Sequence, residues 1–326
     1  MSIASFAADA PRPAPTSLGC PFSDILQLTE ASSVVSRGIS AGGAWSLRFP
    51  RPGKLKFFAL ARGQCWVREE GRKKGLVLDE GDVMLLSGRR GFVIADGPDT
   101  PAKDAHRVLA ARPEPIVELG DGDRSECVVL SGMVSLHPSS GPLLTEVLPP
   151  RIHVRAVSPR AASLRWIVEQ ILHEQRSAVP GAAAASAQLA QLLFIQLLRA
   201  HLASAGTLPS GWLRAISDDR LTPALRLIHG DPQRSWTVAE LAKAAGMSRT
   251  SFAVRFKAAA GAAPLSYLTS WRMHLARRSL RESDTPIAEI AAAVGYTSES
   301  AFSTAFKRVA GSSPRSYRVS NGHKSI

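Results

Sequence analysis

The side chains with chemical reach in this sequence are its cysteines, its histidines and a surplus of cations. Cys20, Cys65 and Cys127 are widely spaced, odd in number and outside any CxxC pattern. That usage predicts a reducing compartment and argues against a disulfide framework or a zinc site. Cys65 and Cys127 fall in apolar, strand-like stretches and read as inert core thiols. A metal centre needs several histidines or carboxylates on converging strands. Of the eight histidines only His106, His137 and His153 lie in the strand-rich part of the chain, and no two are at HxH spacing. Neither a metal, a cofactor nor an enzymatic activity is therefore expected. The cations point elsewhere. The 326 residues carry a formal net charge of +13. From Trp212 onward there are 17 Lys+Arg against 8 Asp+Glu, whereas the first 211 residues hold 23 against 19. Such a surplus suits a polyanionic partner or a solubilising surface, and charge alone does not choose between them.

An internal repeat gives those cations a scaffold. Leu241-Ala-Lys-Ala-Ala-Gly246 matches Ile290-Ala-Ala-Ala-Val-Gly295. Past a one-residue slip after the glycine, Phe252 aligns with Phe302 and Phe256-Lys257 with Phe306-Lys307. Gly261, Pro264 and Tyr267 then align with Gly311, Pro314 and Tyr317. Each copy reads as helix, tight turn, helix (237–260 and 286–310). Thr237 and Glu240 form a capping box, and Gly246 suits the left-handed turn. Ser248 caps a second helix with Phe252 and Phe256 on its inner face, while Arg255 and Lys257 lie off that stripe. In the second copy Thr285-Pro286 is predicted to be N-cap and first helical position, and Ser298 to cap the helix of Phe302 and Phe306. A continuous helix from Pro264 to about Arg281, rich in Arg272, His274, Arg277, Arg278 and Arg281, would hold the copies at a fixed separation. Two such units about 34 Å apart suit successive major grooves of double-stranded DNA. The competing reading is an ordinary bundle with a duplicated aromatic core.

The elements upstream differ in period. From about Asp24 to Val154, short segments such as Trp45–Phe49, Leu55–Leu60, Cys65–Val67, Leu76–Leu78, Val83–Leu86, Phe92–Ala95 and Cys127–Leu130 alternate with turn residues. They predict a small β-sandwich or barrel. Ser158-Pro159 then opens a helix with Leu164, Ile167, Val168, Ile171 and Leu172 on one face. After Pro180-Gly181 a second helix carries Leu189, Leu192, Leu193 and Leu197. The pair (159–205) reads as an antiparallel hairpin, its stripes serving either its own domain or a dimer interface. Residues 1–20 read as a disordered tail without signal-peptide character. The apolar stretch Ala182–Ala205 is interrupted by Gln188, Gln191, Gln196 and Arg199, unlike a membrane span of about 20 apolar residues. A cytoplasmic protein without membrane contact is expected.

The C-terminal residues resemble the AraC/XylS family of bacterial regulators. The likeness covers about Asp218 to Arg318. It is carried by Ile290-Ala-Ala-Ala-Val-Gly-Tyr296, Phe302, Ala305-Phe306-Lys307, Gly311-Ser-Ser-Pro-Arg-Ser-Tyr-Arg318, and Trp271-Arg-Met273 with Ala276. The resemblance implies base-facing positions at Arg249, Thr250, Ala253 and Val254 in the first unit. In the second it implies Ser298, Glu299, Ser300, Ser303 and Thr304. Ala253 and Val254 offer only apolar contact, for instance to a thymine methyl. Glu299 either accepts from a cytosine amino group or favours its helix N-terminus. Lys257, Lys307, Arg255, Arg308, Arg315 and Arg318 read as phosphate contacts or as solvated surface. The N-terminal part resembles a cupin-like sensor domain through Gly43-Ala-Trp45, Gly63-Gln-Cys-Trp66, Leu78-Asp-Glu-Gly-Asp82 and Leu143–Pro149.

Together these readings predict an α+β chain of two domains. Residues 21–207 form a cupin-like barrel with its helix hairpin, 208–217 a linker, 218–319 an all-α DNA-binding domain with two helix-turn-helix units and a connecting helix, and 320–326 a tail. The implied function is a transcription regulator, homodimeric, responsive to a small-molecule effector and in contact with RNA polymerase if it activates. Trp45, Phe58, Trp66 and Phe92 are candidate pocket residues and equally candidate core. The alternatives are a constitutive regulator with a structural barrel, an architectural DNA protein, or a cupin enzyme fused to a DNA-binding module.

Overall fold

A computed structural model of the chain describes residues 19–120, 126–177, 179–204 and 208–321. Most of the expected N-terminal tail, and residues 322–326 of the C-terminal one, lie outside the described residues. Two compact units emerge: Thr29–Leu208, and the C-terminal part from Pro209 together with the segment ending at Leu28.

The first unit is built on two sheets. Strands β1 (Ser32–Gly42), β2 (Ser46–Phe49), β3 (Leu55–Arg62), β4 (Gln64–Glu69), β5 (Leu76–Asp79) and β6 (Val83–Leu86) come first. They are followed by β7 (Phe92–Ala95), β8 (Lys103–Asp104), β9 (Ile116–Gly120), β10 (Cys127–Ser135) and β11 (Arg151–Val154). The larger sheet has the order β11-β6-β3-β10-β1-β9, the smaller β5-β4-β7-β2-β8. Alternate residues of both sheets bury one shared core: Ile39, Leu47, Phe58, Leu60, Val67, Met84, Ile94 and Val129 among them. β3 is buried on both faces over Leu55–Leu60. It carries core residues on one side and meets a helix on the other.

The helix that covers β3 belongs to the predicted pair. Within this unit α2 (Ala105–Ala110) and α3 (Pro142–Thr145) are short, whereas α4 (Ala161–Arg176) and α5 (Ala182–Ser204) are long. They pack on one another, with Gln175 Nε2 donating to Ser186 Oγ at 3.3 Å, and α5 also lies along β1 and β11. Two expectations shift. α4 begins at Ala161 rather than after Ser158, because Arg155, Ser158 and Ala161 first form tight turns through their backbone bonds. On α5 the buried face is Ala190, Leu193, Phe194 and Leu197, so Leu192 is 37% exposed. The inner stripes of both helices are thus used by their own unit, and Leu192 and Trp166 stay outside.

The second unit is all helix. It comprises α1 (Pro21–Leu28), α6 (Trp212–Ile216), α7 (Thr222–Gly230), α8 (Val238–Ala244), α9 (Arg249–Ala260), α10 (Pro264–Glu282), α11 (Ile287–Ala293), α12 (Glu299–Ala310) and α13 (Pro314–Asn321). The compact units group two short stretches differently from the expected boundaries. α1 was expected with the sheets, yet its buried Ile25 and Leu28 sit in contact with α6, α7 and α10. The stretch expected as a linker contains α6, whose Trp212, Leu213 and Ala215 are buried against α9 and its neighbours. Among the described residues no helix is long and apolar enough to cross a membrane.

Candidate DNA interface

The two helix-turn-helix copies are the same object in geometry as well as in sequence. Phe252 and Phe256 have ring centroids 5.5 Å apart, and Phe302 and Phe306 5.6 Å. Phe256 meets Tyr267 edge-on at 5.5 Å and 77°, and Phe306 meets Tyr317 at 5.5 Å and 78°. All four phenylalanines are fully buried, so each second helix is pinned by the same aromatic wedge. The turns repeat too. Gly246 and Gly295 have φ of 62° and 82°, and the residue after each donates its N–H back to the preceding helix, Met247 to Ala242 and Tyr296 to Ala291. Both second helices end at left-handed glycines, Gly261 and Gly311.

The N-termini of the two first helices differ. α8 has the full capping box: Thr237 Oγ1 accepts from Glu240 N at 3.2 Å, and Glu240 accepts from Thr237 N at 2.8 Å. α11 has none. Pro286 takes the cap position instead of Thr285, whose hydroxyl bonds Ser283 Oγ at 2.9 Å. A proline there has no N–H to satisfy and its fixed φ suits the chain entry. The second helices of both copies are capped as expected, Ser248 Oγ accepting from Ser251 N and Ser298 Oγ from Ala301 N, each at 3.2 Å. Ser298 is therefore a cap first, with its hydroxyl proton and one oxygen lone pair left over.

Around those caps the implied base-facing residues gather at two exposed helix N-termini. Arg249, Thr250 and Val254 are exposed on α9, Val254 by 66%, with Ala253 half-buried beside them. Glu299, Ser300 and Thr304 are exposed on α12, with Ser303 half-buried. Lys257, Lys307, Arg308 and Arg315 are exposed as well. Arg255 and Arg318 are not in the same position. Arg255 Nε lies 2.6 Å from Asp218 Oδ2 in a two-point pair, which raises its pKa through that hydrogen bond. Arg318 donates to the Thr285 carbonyl that opens the second copy. Both are already engaged within the unit.

The cations of α10 are also spent inside. Arg272 donates to the carbonyls of Pro232 at 2.6 Å and Arg234 at 3.0 Å. Arg277 donates to Val309 O at 2.8 Å, and Arg278 and Arg281 pair with Glu282 at 2.9 Å. α10 is the beam of the unit. Its early residues Leu268 and Trp271 are buried, and Met273, Ala276 and Leu280 enter the core of the second copy.

Sequence reasoning missed the polar pin beneath the first copy. His229 Nδ1 lies 3.2 Å from Asp24 Oδ2 and its Nε2 2.9 Å from Tyr267 Oη, with the Trp271 ring at 4.1 Å. Burial lowers the His229 pKa, against the opposing pull of Asp24, and burial raises that of Tyr267. No periodic signal links Asp24 to a residue so far along the chain.

In the sheet unit, Trp45, Phe58 and Phe92 belong to the packed core, Phe58 meeting Phe92 edge-on at 5.0 Å. Trp66 is half-buried beneath Arg68. A cavity of about 320 Å³ lies elsewhere, lined by residues that include Lys54, Val134, His137 and Thr145. Lys56, unremarked in sequence, is buried 5.8 Å from the rings of both Phe49 and Phe58, and desolvation brings its pKa down to about 8. Cys65 and Cys127 are buried in the core. The Cys65 thiol is held above its ordinary pKa by its hydrogen bond with the Cys127 thiol and by burial.

Comparison with known proteins gives the same order of a sheet part followed by a helical part, with α1 inside the first match. The family described as cupin matches residues 21–203, and that described as a helix-turn-helix domain matches 241–320. A putative AraC-like transcription regulator of Streptomyces lividans is 40% identical over 281 residues, covering 86% of this chain and 92% of that protein. The HTH-type transcriptional regulator AlkR of Acinetobacter baylyi is 33% identical, over 68% of this chain and 74% of its own. The DNA-binding domain of AdpA, solved in complex with a target DNA, is 35% identical over 32% of this chain and 93% of that one, with a TM-score of 0.30. With a cupin domain in its N-terminal part and an AraC-type helix-turn-helix domain in its C-terminal part, the chain belongs to the AraC-like family of DNA-binding transcription regulators.

Proposed function

We propose that this regulator reads two adjacent major grooves per protomer, acts as a homodimer, and is controlled by a small molecule held in its sheet unit. The observation that carries the reading is the pair of exposed N-termini of α9 and α12. Each is pinned by a matching aromatic wedge, completed by Tyr267 of α10 in the first copy and Tyr317 of α13 in the second, and the 19-residue α10, about 28 Å long, joins the copies. Arg249 is placed to take a guanine edge, and Val254 a thymine methyl. Thr250 adds to the first unit. In the second, Ser300, Ser303, Thr304 and either role of Glu299 offer polar contact. Lys257, Lys307, Arg308 and Arg315 neutralise phosphates, while Arg255 and Arg318 hold the unit together.

The cavity of about 320 Å³ has the size of a small-effector site, which favours it over the packed aromatics Trp45, Phe58 and Phe92. Trp166, 54% exposed on α4, and Leu192 on α5 supply apolar surface for a second copy. Contact with RNA polymerase follows if the protein activates.

The deciding experiment is selection of duplexes from random sequence by the full chain, followed by competition against the selected site. A site with two separate elements, poorly competed by random DNA, is expected. Equal competition by random DNA would leave an architectural protein instead. A metabolite that raises the melting temperature of the full chain and alters its DNA affinity would identify the effector class.

A further inference from the structure

Between the two helix-turn-helix copies lies a joint that no repeat predicts, because the residues that make it come from three different segments. The segment before α8 is itself fastened. Trp236 Nε1 donates to Asp231 O at 2.9 Å, and the Arg234 guanidinium lies 4.0 Å from the Trp236 ring. Arg234 also pairs with Glu240 of the capping box at 2.8 Å. That platform turns its carbonyls to α10. Arg272 donates to Pro232 O at 2.6 Å, Arg234 O at 3.0 Å and Gln233 O at 3.3 Å. The same guanidinium lies 5.8 Å from the ring of Tyr296, in the turn of the second copy. Tyr296 in turn meets Phe302 edge-on at 5.7 Å, at the start of α12. Gly295 closes the joint: a Cβ there would stand 2.2 Å from Gln233 O and 2.7 Å from Arg272 Nη2. Its counterpart Gly246 has nothing within 4 Å. One side chain therefore bridges the cap of the first copy to the recognition turn of the second.

We infer that Arg272 is a positioning residue for DNA readout, locking the angle between α9 and α12 and so setting the base-pair spacing the protein accepts between its two elements. A planar guanidinium suits this, since its fork can serve several carbonyls at once while a lysine ammonium has no fixed geometry. Without the clamp, α10 still joins the copies, but the turn of the second is free to pivot against the first. The consequence is a broader tolerance of spacing. Each inserted base pair displaces the second element by about 3.4 Å and rotates it by roughly 35°.

The inference rests on the two-groove reading, and the test separates them. The probes are the duplex selected by the full chain and derivatives with one or two base pairs inserted or deleted between its elements. Wild-type protein, Arg272→Lys and Arg272→Ala are titrated with each, alongside their melting curves. The lysine variant keeps the aliphatic stem and charge, so it remains folded if the alanine variant does not. The expected result is at least a tenfold loss with altered spacing for the wild type, shrinking to threefold or less in the variants. Wild-type indifference to spacing would overturn the two-groove reading. Variants that lose affinity by one common factor at every spacing, with the wild-type profile intact, would overturn the role of Arg272 while leaving that reading standing.

Discussion

Arg249 and Lys307 are both exposed cations on second helices, yet their expected contributions to binding differ. Arg249 stands at the first position of α9, where in the proposed reading a long side chain would reach a base edge; Lys307 lies two turns along α12, where it would meet the backbone. Arg249→Ala should keep the fold and cost about 1–3 kcal/mol on the preferred sequence, with less loss on variants at one base position. Equal loss on every sequence would reassign it to phosphate. Lys307→Ala should weaken all sequences alike and reduce the slope of log K against log salt by about 1, read from titrations at several salt concentrations. Arg255→Ala makes the instructive contrast. Its partner Asp218 would lose a two-point bond, so thermal stability should fall with little change in salt slope. The inner and outer faces of the second helices were legible from the repeat, whereas base-facing positions such as Arg249 were implied by the family resemblance. The engagement of Arg255 and Arg318 was not, since Asp218 and Thr285 follow no period relative to them. Nor were the candidate pocket aromatics distinguishable from core, because a strand's inward face reads the same whether it meets a ligand or another strand.

At the scale of elements the two copies act as controls for each other. Phe256→Ala and Phe306→Ala each remove a fully buried ring and should cost about 3–5 kcal/mol, measured by denaturant unfolding of the full chain. A variant as stable as wild type would contradict the wedge. The turn glycines should not behave alike. At Gly246 an added Cβ meets open space, so Gly246→Ala bears only the left-handed penalty of about 1–2 kcal/mol. Gly295→Ala adds a collision with the Gln233 carbonyl and should destabilise more, or force the joint open. Equal costs would mean that the second turn is not pressed against that segment. The glycines were found in sequence as a matched pair, and their difference appears only when tertiary neighbours are known. Strand β1, the longest among the described residues at 11 residues, illustrates the same limit. Its serines and glycines give no alternation, and it is a strand because β10 and β9 pair with it on either side. α1 was placed with the sheets by adjacency alone; its helical unit contacts run to residues far along the chain.

For the molecule as a whole, the helical unit carries a built-in sensitivity to acid. His274 is half-buried in α10 beside Arg277, and desolvation first, then that charge, lowers its pKa to about 4. Its Nδ1 has no hydrogen-bond partner among the described residues, which disfavours the charged ring. His229 is likewise lowered by burial, although Asp24 opposes the shift. In the unfolded chain both titrate near 6.5. The sign follows from which state takes the proton first. Below about pH 6.5 the unfolded chain binds it and the folded one does not, so stability is full above that pH and falls as acid is added. For His274 the loss is at most about 1.4 kcal/mol per pH unit between about 6.5 and its folded pKa of about 4, and His229 acts in the same direction. Urea unfolding of the full chain at pH 7.5, 6.5, 5.5 and 5.0 should show this decline while most carboxylates remain ionised. His274→Leu should remove one proton's share of the slope, and it forfeits no hydrogen bond at Nδ1 in doing so. The same substitution should leave the spacing preference of DNA binding unchanged, since His274 makes none of the bonds that join α10 to the segment before α8. A slope that persists undiminished in His274→Leu would place the acid sensitivity elsewhere, with His229 and its bond to Asp24 the next residue to replace.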